Sequence, residues 1–162
     1  MSRLTIPLSV EGAVLRPLLP LDACAYRTLL QRNTHHLGPD YADDICATEA
    51  QQAAAFAGNP DPPVMFGIFA TDELIGRIDL VPVHPPRYGL GYWVSEDHTG
   101  LGIATAAVAA VVDYAHQSLA ATDIYAGVSH GNTASERVLE RNCFARVAEF
   151  DTYCRFHRAL IG

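Results

Sequence analysis

The stretch His98–Val112 reads HTGLGIATAAVAAVV. Gly100 and Gly102 stand two residues apart, and a run rich in alanine and valine follows at once. Alanine is the best helix former and glycine a poor one, so a helix is expected to start near Ile103, directly after a flexible loop. The first amides of a helix have no intrahelical acceptor, and they carry the positive end of its dipole. Glycines just ahead of them let the backbone turn with no side chain in the way, which suits an anionic group such as a phosphate. The plainer reading is that the glycines only turn the chain. The P-loop pattern is absent because no lysine follows, and the dinucleotide fingerprint meets Thr105 where it needs glycine or alanine.

Upstream lies the β-rich run YGLGYWVS (88–95), and downstream DIYAGVS (123–129). Strand, helix and strand from Tyr88 to Ser129 require a parallel crossover. Gly89 and Gly91 interrupt the first of these strands, and glycine inside a strand predicts a bulge that splays it from its neighbour and opens a cleft. GNTASERVLERNCF follows the second strand; a helix is expected there, with Asn132 and Ser135 turned toward the same cleft.

Further out, VMFGIFA (64–70) and LIGRIDLVPV (74–83) are joined by TDE as a hairpin. A first strand is expected over Gly12–Leu18, then a helix capped by Asp22 in LDACAYRTLLQ. RNTHHLGPDYADD reads as a loop, ICATEAQQAAAFA as a second helix, and ARVAEFDTYCRFHRAL as one or two final strands. The fold expected is α/β with a mixed sheet: a single domain over 1–162, its central sheet mostly antiparallel with one parallel pair, flanked by helices.

Composition narrows the function. Hydrophobic residues make up 49%, yet no run reaches the roughly 20 apolar residues that span a bilayer, and MSRLTIPLSVEG lacks a signal peptide's apolar stretch. A cytoplasmic protein is expected, with no membrane partner. Lys and Arg total 11 against 18 Asp and Glu, a net charge of −7, so nucleic acid finds no basic stripe. Cys24, Cys46, Cys143 and Cys154 are scattered without a CxxC pair, and the histidines do not join them at zinc-site spacing. Reduced thiols and no metal are expected.

With these pieces in order, LGYWVSEDHTGLGIATAAVAAVVDYA…DIYAGVSHGNTASERVLERNCFARV, in a match that covers about Tyr88 to Val147, resembles the core of the GNAT superfamily of acyl-CoA-dependent N-acetyltransferases. It is most similar to the branch typified by ribosomal-protein N-terminal acetyltransferases. AVLRPLLPLDA resembles that branch's first strand and helix start.

The resemblance implies acetyl-CoA as co-substrate. The amides of Thr99, Gly100, Leu101, Gly102, Ile103 and Ala104, with Thr105 next to them, would hold the coenzyme's pyrophosphate. Tyr92, Trp93 and Val94 would pair their backbone with pantetheine as an added strand would. Asn132 and Ser135 match the N-x-x-S element beside the thioester sulfur. The chain departs from the family at four places: Thr99 replaces a Gln or Arg, Cys143 a glycine, Leu139 a frequent tyrosine acid, and Gly89 a frequent strand glutamate.

Acetyl transfer to an amine needs a neutral nucleophile, a polarised carbonyl and a proton for the leaving sulfur. A backbone N–H near Val94 could polarise the carbonyl. Ser135 is the candidate acid, though Thr133 and Glu136 also fit a capping box that would give it a structural role. Asp79, His84 and His130 are candidate bases. His35, His36, Asp40, Tyr41 and Tyr92 are candidate contacts of the acceptor, a small-molecule amine or a protein N-terminus. A non-catalytic acyl-CoA sensor and an acyltransferase for a longer acyl group are the alternatives. The oligomeric state is left open, with a homodimer among the options.

Overall fold

The helix that the glycine junction predicts starts at Ile103 and runs to Leu119. In the computed structural model, which describes residues 4–160, the strands and helices are β1 (Ile6–Pro7), β2 (Ala13–Pro17), α1 (Ala23–Arg32), α2 (Thr34–Leu37), α3 (Ala42–Cys46), α4 (Glu49–Ala57), β3 (Met65–Ala70), β4 (Glu73–Pro82), β5 (Arg87–Val94), α5 (Ile103–Leu119), β6 (Asp123–Ser129), α6 (Thr133–Arg141), β7 (Ala145–Glu149) and β8 (Tyr153–Ala159). The strands form one sheet in the order β1-β2-β3-β4-β5-β6-β8-β7. Neighbours are antiparallel except β5 and β6, which are parallel across the α5 crossover. The molecule is therefore a mixed α/β domain with helices on both faces. No helix among the described residues is long and apolar enough to cross a membrane.

Strand alternation divides the core in two. On one face, Ile78, Leu80, Leu90 and Val94 pack with Val108, Val111, Val112 and Ala115 of α5. Each fully buried valine there contributes about 1.5–3 kcal/mol. On the other face, Phe69, Leu74 and Trp93 pack with Tyr26, Leu29, Leu30 and Phe56 of α1 and α4. Consecutive residues Trp93 and Val94 thus belong to opposite cores.

The cleft opens without the expected bulge. β5 pairs with β4 in unbroken register from Pro82↔Tyr88 to Gly76↔Val94, and Gly89 and Gly91 lie within that register. The irregularities fall elsewhere, at Ile68/Phe69 and Arg146/Ala148. What parts the strands is their loyalty to outer neighbours. The β5–β6 pairing ends at Leu90↔Ala126, while β6 stays paired with β8 through Ser129↔Tyr153. Gly76 helps hold β5 on the β4 side: a Cβ there would lie 2.4 Å from the Trp93 carbonyl oxygen, so only glycine permits this approach.

Three expectations are corrected locally. Segment 32–44 is not a plain loop but carries α2, a 3-10 turn at Pro39–Tyr41 and the start of α3. The second helix begins at Glu49 rather than Ile45, because Thr48 and Gln51 form a reciprocal capping box. Asp22 sits at the N-cap of α1 but caps nothing in it; its carboxylate accepts the Leu19 N–H at 2.8 Å and both Arg16 guanidinium nitrogens at 2.8 Å.

Candidate active site

The wedge between β5 and β6 continues into a cleft of about 640 Å³, closed by the glycine loop on one side and α6 on the other. Gly100 and Gly102 have φ of +77° and +79°, and a Cβ built on either would meet nothing within 4 Å. Left-handed φ costs an L-residue about 1–2 kcal/mol, so glycine is required here, and the space beside it is open. The loop is anchored from behind by Asn33 at the end of α1. Its Oδ1 accepts the Glu96 N–H at 2.9 Å, and its Nδ2 donates to the Leu29 carbonyl at 2.8 Å. From the front, Asn142 donates to the Thr105 carbonyl at 3.2 Å and ties α6 to the first turn of α5.

Most of the expected coenzyme residues line this cleft: Tyr92, Trp93, Val94, Thr99, Gly100, Gly102, Ile103, Ala104, Thr105, Asn132 and Ser135. Leu101 does not; it is 59% exposed on the outside of the loop. Trp93 contributes to the wall, but its backbone polar groups face β4. The Ser95 N–H donates to the Ile75 carbonyl, and alternation places Trp93 on the same side. Tyr92 and Val94 are the pair whose backbone faces the wedge. Their carbonyls are occupied: His36 Nε2 lies 3.1 Å from the Val94 oxygen, and the Tyr41 hydroxyl donates to the Tyr92 oxygen at 3.3 Å.

Asn132 is the cap of α6, its side chain accepting the Ser135 N–H at 3.2 Å, so the Thr133/Glu136 capping box is not formed. Ser135 Oγ lies 2.6 Å from the Tyr92 hydroxyl. Burial raises the Tyr92 phenol above its usual range, partly offset by Ser135. Leu139, where a tyrosine acid is absent, is fully buried in the core.

The sequence reading missed Arg137 and Arg141. They are four residues apart on α6 and both line the cleft; their i,i+4 spacing alongside Asn132 was the available signal. His98 was also missed. Among the described residues, its Nδ1 is the buried side-chain nitrogen or oxygen that has no partner, and it too lines the cleft. Open positive-φ glycines, two facing arginines and an orphaned ring nitrogen fit a polyanionic group such as the coenzyme A pyrophosphate.

A side cavity of about 200 Å³ adjoins the cleft and shares Tyr41, Tyr92 and Trp93 with it. Asp44, Arg77 and Asp79 stand on its far wall. Arg77 Nε contacts both Asp79 oxygens at 3.1 and 3.0 Å, and Nη2 adds a 2.9 Å contact. Burial pushes the Asp79 carboxyl above its usual range while Arg77 pulls it down. Asp44 accepts from the Tyr26 hydroxyl at 2.7 Å and from Gln52 at 2.9 Å.

Besides Leu101, four expected residues fall outside both cavities. His130 is turned to the far side of β6, its Nε2 2.6 Å from the Phe150 carbonyl. His84 sits in the exposed β4–β5 turn at φ +51°. His35 is exposed on α2. Asp40 is bound by the Ser129 hydroxyl at 2.9 Å. Neither histidine base is placed to reach an amine in the cleft, and His35 and Asp40 do not border it.

The model of the acetyltransferase (GNAT) domain family matches residues 13–145. The chain belongs to the GNAT acetyltransferase family. Among curated relatives, the "Probable N-acetyltransferase YjcK" of Bacillus subtilis (strain 168) is 40% identical over 89 residues, 52% of this chain and 49% of that one. The ribosomal-protein-serine acetyltransferase of Escherichia coli (strain K12) is 35% identical over 82 residues, 49% of this chain and 46% of that one. The chain thus spans about half the length of the curated relatives it matches. The solved structure of a RimL ribosomal L7/L12 alpha-N-protein acetyltransferase in complex with coenzyme A shares the fold at TM-score 0.83 and 21% identity, covering 96% of this chain and 98% of that one. Its match to this GNAT chain, at that identity, is a match of fold.

Proposed function

We propose that residues 1–162 form one acetyl-CoA-dependent N-acetyltransferase domain, acting in the cytoplasm by direct transfer to a primary amine in a ternary complex. The observation that carries this reading is the wedge between β5 and β6 placed between the open glycine loop and the Tyr92–Ser135 pair. The coenzyme supplies the activated thioester. Gly100, Gly102 and the first amides of α5 would hold its pyrophosphate, with Arg137 and Arg141 opposite. With the Tyr92 and Val94 carbonyls taken by Tyr41 and His36, pairing in the wedge falls to their N–H groups, and that of Val94 is positioned to polarise the thioester carbonyl.

The Tyr92 hydroxyl lies 2.6 Å from Ser135 Oγ and 3.3 Å from the Ser135 carbonyl; with the phenol as donor to Oγ, the serine hydroxyl proton turns outward, toward the position of the leaving sulfur. An amine that arrives as ammonium first sheds one proton to solvent; the neutral amine then gives up one proton on attack and the thiolate gains one, so the transfer is balanced without outside acid. The acceptor's amine enters by the side cavity. With both Asp79 oxygens held by Arg77, Asp79 orients the ammonium together with Asp44 rather than acting as a free base. Acceptors are small amines or protein N-termini, and relatives named for ribosomal-protein substrates support the latter.

The test is thiol release from acetyl-CoA across a panel of amines and N-terminal peptides. Turnover with any amine supports the reading. Tight coenzyme binding without turnover on the whole panel overturns it in favour of a sensing module, and preference for longer thioesters redirects it to another acyl group.

A further inference from the structure

His130, Glu149 and Cys154 take no part in the cleft, yet their ligand-competent atoms all lie within 4.8 Å of one another. They come from three places in the chain: the loop after β6, the end of β7 and the start of β8. Cys154 stands directly across the hairpin from Glu149. No sequence spacing would have grouped them.

The histidine is held in a particular state. A carbonyl only accepts, so the 2.6 Å contact to Phe150 makes Nε2 the protonated nitrogen and Nδ1 the acceptor, whose partner is a thiol proton that a metal can displace. Nδ1 faces Cys154 Sγ at 3.7 Å. The backbone of His130 is fixed as well, its N–H donating to the Thr152 carbonyl at 3.2 Å. A ring whose far N–H is pinned to a carbonyl, with its near lone pair beside a thiol, is the arrangement that second-shell bonds impose on metal-binding histidines. Two ligands bound tetrahedrally to zinc through nitrogen and sulfur stand about 3.5 Å apart, so the His130–Cys154 separation needs almost no adjustment. Glu149 is exposed and its carboxylate can close the remaining distance.

We infer that His130, Glu149 and Cys154 form a binding site for a zinc-class divalent cation, with an open position for water. Binding exchanges the Cys154 thiol proton, released to solvent, for a sulfur–metal bond, while imidazole and carboxylate bind as they stand. Soft thiolate with imidazole selects zinc over magnesium or calcium. The occupied site would staple the loop leading into α6 to the β7–β8 hairpin, two residues before Asn132.

Cobalt reports thiolate ligation by a near-ultraviolet charge-transfer band. The other cysteines, Cys24, Cys46 and Cys143, are exposed, so the reduced C24S/C46S/C143S protein is titrated with Co²⁺ and then with Zn²⁺. The result expected is a band saturating at one equivalent, abolished by zinc, absent in C154S and at least tenfold weaker in affinity in H130Q. No band in a protein shown folded by circular dichroism, no displacement by zinc, or an unchanged midpoint in H130Q overturns the site. If the triple variant does not fold, the unmodified chain and its C154S variant are compared: loss of the tightest equivalent supports the site, and its retention overturns it.

Discussion

The Tyr92 hydroxyl and the Ser135 Oγ lie 2.6 Å apart, joining the free stretch of β5 to the first turn of α6 across the cleft. A bond this short between two hydroxyls makes them one unit: removing the phenol leaves the serine proton unoriented, and removing the serine leaves the phenol with nothing to orient. Ser135→Ala and Tyr92→Phe should each lower kcat by about 100-fold, the low end of the range of acid–base contributions, while coenzyme affinity changes less than threefold. The double variant should be no slower than the slower single one, because residues acting together are not additive. A double-mutant cycle on kcat checks this, and additive losses would show two independent roles.

Coenzyme A should raise the thermal midpoint, since it binds only the folded cleft; at about 100 times Kd the linkage is about 2.7 kcal/mol. Gly102→Glu places a carboxylate in the open space beside a φ of +79° and should abolish that shift in a protein that still folds. Arg137→Gln and Arg141→Gln should each weaken coenzyme binding severalfold and flatten its salt dependence, leaving kcat at saturation unchanged. Calorimetry at two ionic strengths distinguishes these outcomes.

Helix α6 ends in a Schellman motif. The Phe144 N–H donates to the Leu139 carbonyl and the Cys143 N–H to that of Glu140, both at 3.0 Å, with Cys143 between them at φ +66°. The position calls for glycine, and a cysteine there holds left-handed strain. Cys143→Gly should therefore stabilise the protein by about 1 kcal/mol, raising Tm by about 2–4 °C. A lower Tm on calorimetric scanning would mean that the thiol's packing outweighs the strain.

Four of the seven tyrosines, Tyr26, Tyr41, Tyr92 and Tyr114, have phenols raised by burial. Tyr41 is pushed up to about 12, with Asp40, Asp44 and Asp79 adding to burial. The unfolded chain ionises these four phenols near the ordinary value of 10.0, and the folded one only above it. Their contribution to stability is therefore complete below pH 10 and is lost as pH rises toward 12. Alkaline unfolding followed by near-ultraviolet absorbance should show these phenols ionising together with loss of structure. Free titration of all seven near pH 10 in the folded protein would contradict their burial.

The order of elements was legible because alternation, helix-forming runs and turn residues are local signals, and Gly100–Gly102 before Ile103 is the clearest of them. The cleft was legible in place but not in cause: Gly89 and Gly91 suggested a bulge, whereas the strands part because β4 and β8 each hold their own partner. That competition lies in pairing far along the chain. Ser135 and Tyr92 were each named, but nothing in their 43-residue separation said that they touch. His130 was misread for the same reason. Its partners Phe150 and Cys154 arrive with a hairpin some twenty residues later, and a loop histidine shows no direction until that hairpin docks.

Among the described residues, four register pairs, Arg87↔Asp123 to Leu90↔Ala126, make the strand pairing that joins β1–β5 to the β6–β8–β7 group, over a core to which both groups contribute. The sheet is thus two plates sharing a short hinge, each able to keep its own hydrogen bonds if the hinge yields. A molecule seated in the wedge touches both plates beyond the hinge, so it lengthens the seam and raises the cost of opening one plate without the other. Free protein should come apart in two steps of unequal energy, visible as two groups of amide exchange rates, and the saturated protein in one. Cooperativity of unfolding is then a property that the ligand confers on this sheet.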